Sequence, residues 1–239
     1  TVPFLFFIFE ALGVDSSYVM HLAVGTSFSI IIPTAFVSVY THNKYKAVDP
    51  SIIKSYAIFV IIGVITGTTF AAFLKTQALV LFFSIIVYLL GGYLMYLKEK
   101  AEDIKTNFSL IPRVVFGFIS GFISAPMGIG GAVMNVPILK YFGYPINRAI
   151  GSAAAIGFVI ALFGAIGFLI SGTFVDAHLP LSVGFINIPA FLIFVPITTV
   201  MAKVGANTVH KINKNKVTKL FGIFLFIVGS VFLYRYFNI

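Results

Sequence analysis

The chain has 239 residues, of which 59% are hydrophobic and 10% are charged, and its mean hydropathy is +1.06. Because an ordinary soluble domain carries roughly 25% charged residues, this composition excludes a soluble globular protein and predicts an integral membrane protein. We assign the formal net charge of +9 to Lys and Arg that fix membrane topology rather than to nucleic-acid binding. The absence of Cys excludes a disulfide scaffold and a thiolate metal site.

Apolar runs that match the roughly 20 residues needed to cross a bilayer core predict the membrane spans. They cover residues 19–40, 52–74, 78–97, 146–170, 181–202 and 217–237. Two further runs do not fit a single span. Residues 2–14 are too few, and residues 111–142 are too many and are interrupted by Pro126, Gly128, Gly130 and Gly131.

Loop charges indicate how the interrupted run crosses the membrane. Lys-rich connections at 44–46, 98–105, 140–148 and 203–219 alternate with connections that are poor in positive charge. If the Lys-rich connections are all cytoplasmic, Arg113 and Lys140 flank the interrupted run on the same side. Residues 111–142 therefore form a hairpin, either re-entrant or spanning twice.

Two elements occur in the same order in both halves of the chain. Val2-Pro3 precedes Gly25-Thr26-Ser27, and Val136-Pro137 precedes Gly151-Ser152. Because the second half has an odd number of apolar segments when both hairpin arms are counted, the halves would be inserted with opposite orientation. A repeated segment interrupted by Gly and Pro is typical of transporters built from inverted repeats.

We therefore predict an all-α polytopic membrane protein with two inverted-topology repeats, each starting with a broken-helix hairpin. The first repeat covers 1–97, a Lys-rich cytoplasmic linker covers 98–110, and the second repeat covers 111–239. Only the returning arm of the first hairpin lies in this sequence, so we expect about 20 residues with a first glycine turn to precede Thr1, the length that a matching arm requires.

The glycine turn has the chemistry of a small-anion site. Within hydrocarbon an unpaired backbone group costs several kcal/mol, so such a turn persists only beside protein or a cavity. A helix restarts near Ala132, and its first N–H groups and the positive end of its dipole favour an anion. The alternative is that Gly130 and Gly131 only allow close helix packing.

Other polar residues in apolar runs have two readings each. The hydroxyls of Thr26, Ser27 and Ser152 either contact substrate or bond to their own helix. Asn135 is a substrate donor or an interhelical hydrogen-bond partner. The candidate substrate-binding residues are Gly25, Thr26, Ser27, Pro126, Gly128, Gly130, Gly131, Asn135, Arg148, Gly151 and Ser152.

Two ionisable residues near these elements are also ambiguous. Arg148 either attracts the anion or marks the cytoplasmic side. His21 either titrates near neutral pH and couples proton movement, or is a histidine that has its hydrogen bonds satisfied or lies at the membrane interface. The sequence has no GxxxxGK[ST], no HExxH and no acidic cluster with metal-ligand spacing. We therefore expect no enzyme activity, no catalytic residues, no metal and no cofactor.

The order GIGGA (128–132), VPIL (136–139) and AIGSA (149–153), echoed by TVPFL and AVGTS in the first half, resembles the sulfite exporter TauE/SafE family of membrane permeases. Departures from the family pattern are Ala132, where the family often has another Gly, and Ser152-Ala153. The resemblance implies transport of sulfite, organosulfonates such as sulfoacetate, or other small organic anions, without ATP. It also implies a multi-pass protein of the cell membrane, in a bacterium the inner membrane.

The predicted function is secondary transport by alternating access, with the two halves moving around a central anion site. A small-anion channel is the alternative. A carrier saturates with substrate and supports exchange, whereas a channel does neither. The expected partners are a small anionic substrate and the lipid bilayer, but no nucleic acid. The coupling ion, the direction of transport and the oligomeric state stay open.

Overall fold

The structure, a computed structural model, describes residues 1–96, 108–175, 179–208 and 214–238. Its helices are α1 (Val2–Ala11), α2 (Val19–Lys44), α3 (Pro50–Phe73), α4 (Thr76–Tyr96), α5 (Leu110–Met127), α6 (Ala132–Tyr141), α7 (Ile146–Thr173), α8 (Ile188–Thr208) and α9 (Lys214–Tyr236). Between α7 and α8, β1 (Ser182–Val183) pairs antiparallel with β2 (Ile186–Asn187). This architecture confirms the predicted all-α polytopic membrane protein.

Helix length separates full spans from half spans. Among the described residues, seven helices are long and apolar enough to cross a membrane, and these are α2, α3, α4, α5, α7, α8 and α9. Helices α1 and α6 have 10 residues each. At about 1.5 Å per residue they rise about 15 Å, half of the roughly 30 Å hydrocarbon core. The interrupted run is therefore two helices, of which α5 has the length of a full span and α6 about half that length.

Helix boundaries differ from the sequence prediction in one informative place. The span predicted at 181–202 begins only at Ile188, because the β1–β2 hairpin occupies 182–187 and turns at Gly184, whose φ is +55°. Asn187 then caps α8, since its side-chain oxygen accepts a hydrogen bond of 3.0 Å from the backbone N–H of Ala190. Residues 97–107, most of the predicted linker 98–110, lie outside the described residues.

The two longest helices, α2 and α7, form the centre of the fold and run antiparallel. Gly25 near the start of α2 lies against Phe168 near the end of α7, while Gly151 near the start of α7 lies against Ala47, just beyond α2. The half-membrane helix α1 packs on α2, and α6 packs on α7. Outside this centre, α3 packs along α5 and α4 packs along α9.

Candidate functional site

The turn between α5 and α6 owes its shape to its glycines. Gly128 ends α5 with a φ of +61°, and Gly131 precedes α6 with a φ of +68°. This left-handed conformation is readily adopted only by Gly. Pro126 is buried in the last turn of α5, and a hydrogen bond of 2.8 Å from the N–H of Gly131 to the carbonyl of Ile129 closes the turn.

The turn also needs a glycine on the neighbouring helix. Gly130 lies between Ile31 of α2 and Gly157 of α7, and a Cβ on Gly157 would overlap the carbonyl oxygen of Gly130. Small residues at membrane helix contacts permit this kind of close backbone approach. Gly157 was absent from the predicted set, although it stands in the same small-residue run as Ser152.

A cavity of about 700 Å³ opens at this turn, between α1, α2, α4 and α9. Its walls are mainly Phe, Ile, Leu and Val, and the residues that line it include no charged side chain. The polar groups at the turn end are Thr1, Ser27 and the backbone of 128–130. We call Ser27 with residues 128–130 the cavity floor.

The N-terminus of α6 lies at the cavity floor, since α6 starts just after the turn. The side chain of Val2 on α1 contacts Gly128 on the same floor. The first N–H groups of a helix have no partner within it and carry the positive end of its dipole. Ser27 closes the floor, because its hydroxyl donates a hydrogen bond of 2.9 Å to the carbonyl of Gly128. The unpaired N–H groups of a helix start can hold a small anion.

Asn135 does not line the cavity but is buried on the other side of α6. Its side-chain oxygen accepts hydrogen bonds of 3.0 Å from the hydroxyls of Tyr56 on α3 and Ser120 on α5. Its side-chain nitrogen donates 2.8 Å to the carbonyl of Gly131. These contacts match the interhelical alternative for Asn135. The role of Tyr56 was missed, and its one sequence signal is a hydroxyl within an apolar run.

The hydroxyls of Thr26 and Ser152 hold the starts of two helices. Thr26 accepts a hydrogen bond of 2.9 Å from the backbone N–H of Asn187, and Ser152 accepts one of 3.0 Å from that of Asp49. Asp49 and Asn187 are the residues that cap α3 and α8. Neither Thr26 nor Ser152 lines the cavity.

The neighbouring glycines repeat this pairing. A side chain on Gly25 would overlap the carbonyl of Phe185, two residues before Asn187, and one on Gly151 would overlap the carbonyl of Ala47, two residues before Asp49. We call Gly25-Thr26 and Gly151-Ser152 the Gly-hydroxyl elements. Each of them packs against and hydrogen-bonds the start of a helix in the other half of the chain. Of the predicted set, only Ser27, Gly128 and Gly130 meet at the cavity.

Arg148 and His21 also lie away from the cavity lining. Arg148 is largely exposed, with its guanidinium nitrogen 3.9 Å from the Asp49 carboxylate. The Ser51 hydroxyl, with a smaller contribution from Arg148, lowers the pKa of the Asp49 carboxyl. His21 is buried and its Nε2 lies 3.1 Å from the carbonyl of Ala71. Since a carbonyl only accepts, Nε2 carries the proton, and Nδ1 has no partner among the described residues.

The comparisons with known proteins agree with this architecture. A family model described as Sulfite exporter TauE/SafE matches residues 1–232. The chain belongs to the TauE/SafE family. It is similar to a probable membrane transporter protein of Haemophilus influenzae, with 30% identity over 95% of this chain and 86% of the relative. A protein described in the same words from Methanocaldococcus jannaschii is 25% identical over 97% of this chain and 85% of that relative.

A further relative, the probable membrane transporter protein YunE of Bacillus subtilis, is 26% identical over 98% of this chain and 88% of its own length. No solved structure matches the chain significantly. The family and these relatives, together with the seven candidate spans, identify the TauE/SafE chain as a multi-pass membrane transporter. The resemblance inferred from the repeated motifs is confirmed.

Proposed function

We propose that this transporter moves sulfite, organosulfonates or similar small organic anions by alternating access, and that the cavity floor binds the anionic group. The observation that carries the proposal is the cavity of about 700 Å³ at whose floor the half-membrane helix α6 begins. This volume lies within the roughly 300–1,000 Å³ of ordinary small-molecule sites. It accommodates an organosulfonate as well as sulfite.

The floor and walls suit the two ends of such a substrate. N–H groups at the start of α6 supply donors to sulfonate or sulfite oxygens. The Ser27 hydroxyl has one proton, which it donates to the Gly128 carbonyl in this structure, and it joins these donors by turning from that carbonyl to the anion. The unsubstituted Cα of Gly130 lets an oxyanion approach the backbone. Apolar walls such as Phe4 and Phe224 suit a short carbon chain, and a low local dielectric strengthens the attraction of the floor for charge.

Paired contacts support the inverted-repeat element of the proposal. Thr26 binds the residue that starts α8, and Ser152 binds the residue that starts α3. These are the exchanged contacts that a pseudo-two-fold axis in the membrane plane would generate, and transporters of this kind bind substrate near that axis. Ser27 has no counterpart in the second half, where Ala153 occupies the matching position. Only the first half therefore contributes a hydroxyl to the cavity floor.

The decisive experiment is flux into proteoliposomes that contain the purified protein. Labelled sulfite, sulfoacetate and acetate are compared, each with and without a pH gradient, and His21→Gln tests whether His21 couples protons. We expect saturable uptake of sulfite or sulfoacetate and counterflow exchange. Transport of acetate alone would reject the sulfonate assignment, and non-saturating flux without counterflow would identify a channel. No flux of any anion would reject the transporter proposal for these substrates.

Ser27 allows a matched test of the site itself. Ser27→Ala removes the cavity hydroxyl, whereas Ser29→Ala removes a buried hydroxyl that bonds only to the carbonyl of Thr26 on its own helix. Binding exchanges the neutral hydrogen bond from Ser27 to the Gly128 carbonyl for one to a charged group, a net gain of about 1 kcal/mol, so Ser27→Ala should raise the KM for the transported anion about fivefold. Equal effects of the two variants would show that Ser27 does not contact substrate.

A further inference from the structure

One buried polar cluster lies beside the cavity without lining it. It consists of Tyr56 on α3, Ser120 on α5 and Asn135 on α6, all fully buried. We propose that Tyr56 is a positioning residue for the cavity floor, because it orients Asn135 and thereby holds the glycine turn. The proposal deepens the proposed function, since it rests on the turn being the floor of the substrate site.

Asn135 ties the cluster to the turn through a single carbonyl. The backbone N–H of Asn135 donates 2.9 Å to the carbonyl of Gly131, and its side-chain nitrogen donates 2.8 Å to the same oxygen. The amide can keep this second bond only while its own oxygen points at the two hydroxyls. The hydroxyls therefore fix the amide, and the amide fixes the carbonyl at the start of α6.

Tyr56 differs from Ser120 in what it connects. Ser120 lies on α5, the first arm of the same hairpin, so its bond links the hairpin to itself. Tyr56 lies on α3, its ring packs 5.5 Å from that of Phe108, and its hydroxyl reaches the hairpin from the other half of the chain. With Ser27 donating to Gly128, the turn is anchored to the first half at both of its ends.

Loss of the Tyr56 hydroxyl removes one of the two hydrogen bonds to the Asn135 side-chain oxygen and leaves the other. In Tyr56→Phe the Asn135 oxygen keeps Ser120 as a donor, so no buried acceptor is orphaned. A neutral buried hydrogen bond contributes about 1 kcal/mol. Its loss should therefore raise the fraction of molecules in which the glycine turn is displaced about fivefold. That factor is what the experiment measures.

The natural absence of Cys makes the turn directly measurable. Ile129→Cys puts a single thiol on the turn, at a half-buried position that lines the cavity. Its modification rate by a small charged methanethiosulfonate is measured on purified protein. Adding Tyr56→Phe should raise that rate about fivefold, the factor given by one lost buried hydrogen bond.

Two controls separate the turn from the rest of the molecule. Tyr88→Phe removes another interhelical phenol bond, of 2.6 Å to Ser230 between α4 and α9, and should leave the thiol at position 129 unaffected. A thiol introduced by Phe224→Cys lies on the α9 wall of the cavity. Its rate should not respond to Tyr56→Phe.

In the flux assay, Tyr56→Phe should raise the KM for sulfite by less than about fivefold, because the KM follows the undisplaced fraction of the turn. The maximal rate should change little, a split that mere loss of folded protein does not produce. An unchanged rate at position 129, or an equal rise at position 224, would overturn the proposal and leave Tyr56 as core packing. If Tyr56→Phe does not fold, Ser120→Ala weakens the same amide, and an unchanged thiol rate there also overturns it. Thiol modification needs no transported anion, so a failed sulfite assay rejects the proposed function alone.

Discussion

Gly157→Ala should move the glycine turn, although it adds one methyl group at a residue that never touches the cavity. The new Cβ would overlap the carbonyl oxygen of Gly130. Backbone stands on both sides of this contact, so no side chain can rotate away. The turn and α7 must separate, which displaces the cavity floor.

The size of the effect follows from two opposing terms. Overpacking a tight contact costs about 1–3 kcal/mol, while Ala gains about 1 kcal/mol over Gly within a helix. Gly92 of α4 supplies the matched control, because a Cβ there meets no atom within 4 Å. Gly92→Ala keeps only the favourable term, so the two substitutions should differ in unfolding free energy by about 1–3 kcal/mol.

Thermal unfolding of the purified protein in detergent and flux in proteoliposomes measure the two consequences. We expect Gly157→Ala to unfold at a lower temperature than Gly92→Ala and to lose most of its flux. If Gly157→Ala is as stable and as active as Gly92→Ala, the close approach of α7 to the turn is not required, and the reasoning about the floor is wrong.

Two further predictions concern the turn and the start of α3. Gly131→Ala should be more destabilising than Gly130→Ala. Gly131 has a φ of +68°, a conformation that costs a non-Gly residue about 1–2 kcal/mol, and an added Cβ would lie 2.9 Å from the Asn135 side-chain nitrogen. Gly130→Ala should instead reduce flux at nearly normal stability, since its Cβ would only press on Ile31; unaltered flux would show that the turn is packing alone. The lowered pKa of Asp49 stabilises the folded state above the unfolded pKa of about 3.9. This contribution to stability is lost as the pH falls through the pKa of Asp49 in the folded state. Asp49→Asn, which keeps a capping residue, should therefore flatten the fall in unfolding temperature below about pH 4. An identical pH profile would refute the stabilising role of the Asp49 carboxylate.

Local signals explain why the break between α5 and α6 was predictable. Gly128 and Gly131 cluster with Pro126 in an apolar run that is too long for one span. The return of the chain to the side of Arg113 stays a prediction from the loop charges. The short arm 2–14 was recognisable for the same reason, since its length alone rules out a span. The β1–β2 hairpin was missed because its strands are two residues long and Gly184 interrupts a continuous apolar run.

Side-chain partners were not predictable, because they depend on packing between distant parts of the chain. Thr26 meets the backbone of Asn187 across 161 positions, and Tyr56 meets Asn135 across 79. A sequence shows that Thr26 is polar but not whether it faces a cavity or a helix start. Gly25, Thr26, Gly151 and Ser152 were predicted as substrate contacts, and in the structure they lie away from the cavity.

The packing also bears on which parts move during transport. The sequence suggested that residues 1–97 and 111–239 move against each other, but the closest helix pairs join the two. Gly63 and Gly67 of α3 lie against the backbone of α5, and Gly91 of α4 lies against Gly222 of α9. Contacts of backbone on backbone resist sliding because no side chain can repack. We therefore expect each pair to move as one body.

A cross-link between α4 and α9 separates these two views. A Cβ on Gly91 would lie 3.3 Å from that of Leu225, close to the lower limit of about 3.5 Å for a disulfide. In a chain with no other Cys, Gly91→Cys with Leu225→Cys should form this bond on oxidation, and flux should persist. If oxidation blocks flux and reduction restores it, while neither single variant responds, the sequence halves move against each other and the pairs are not rigid.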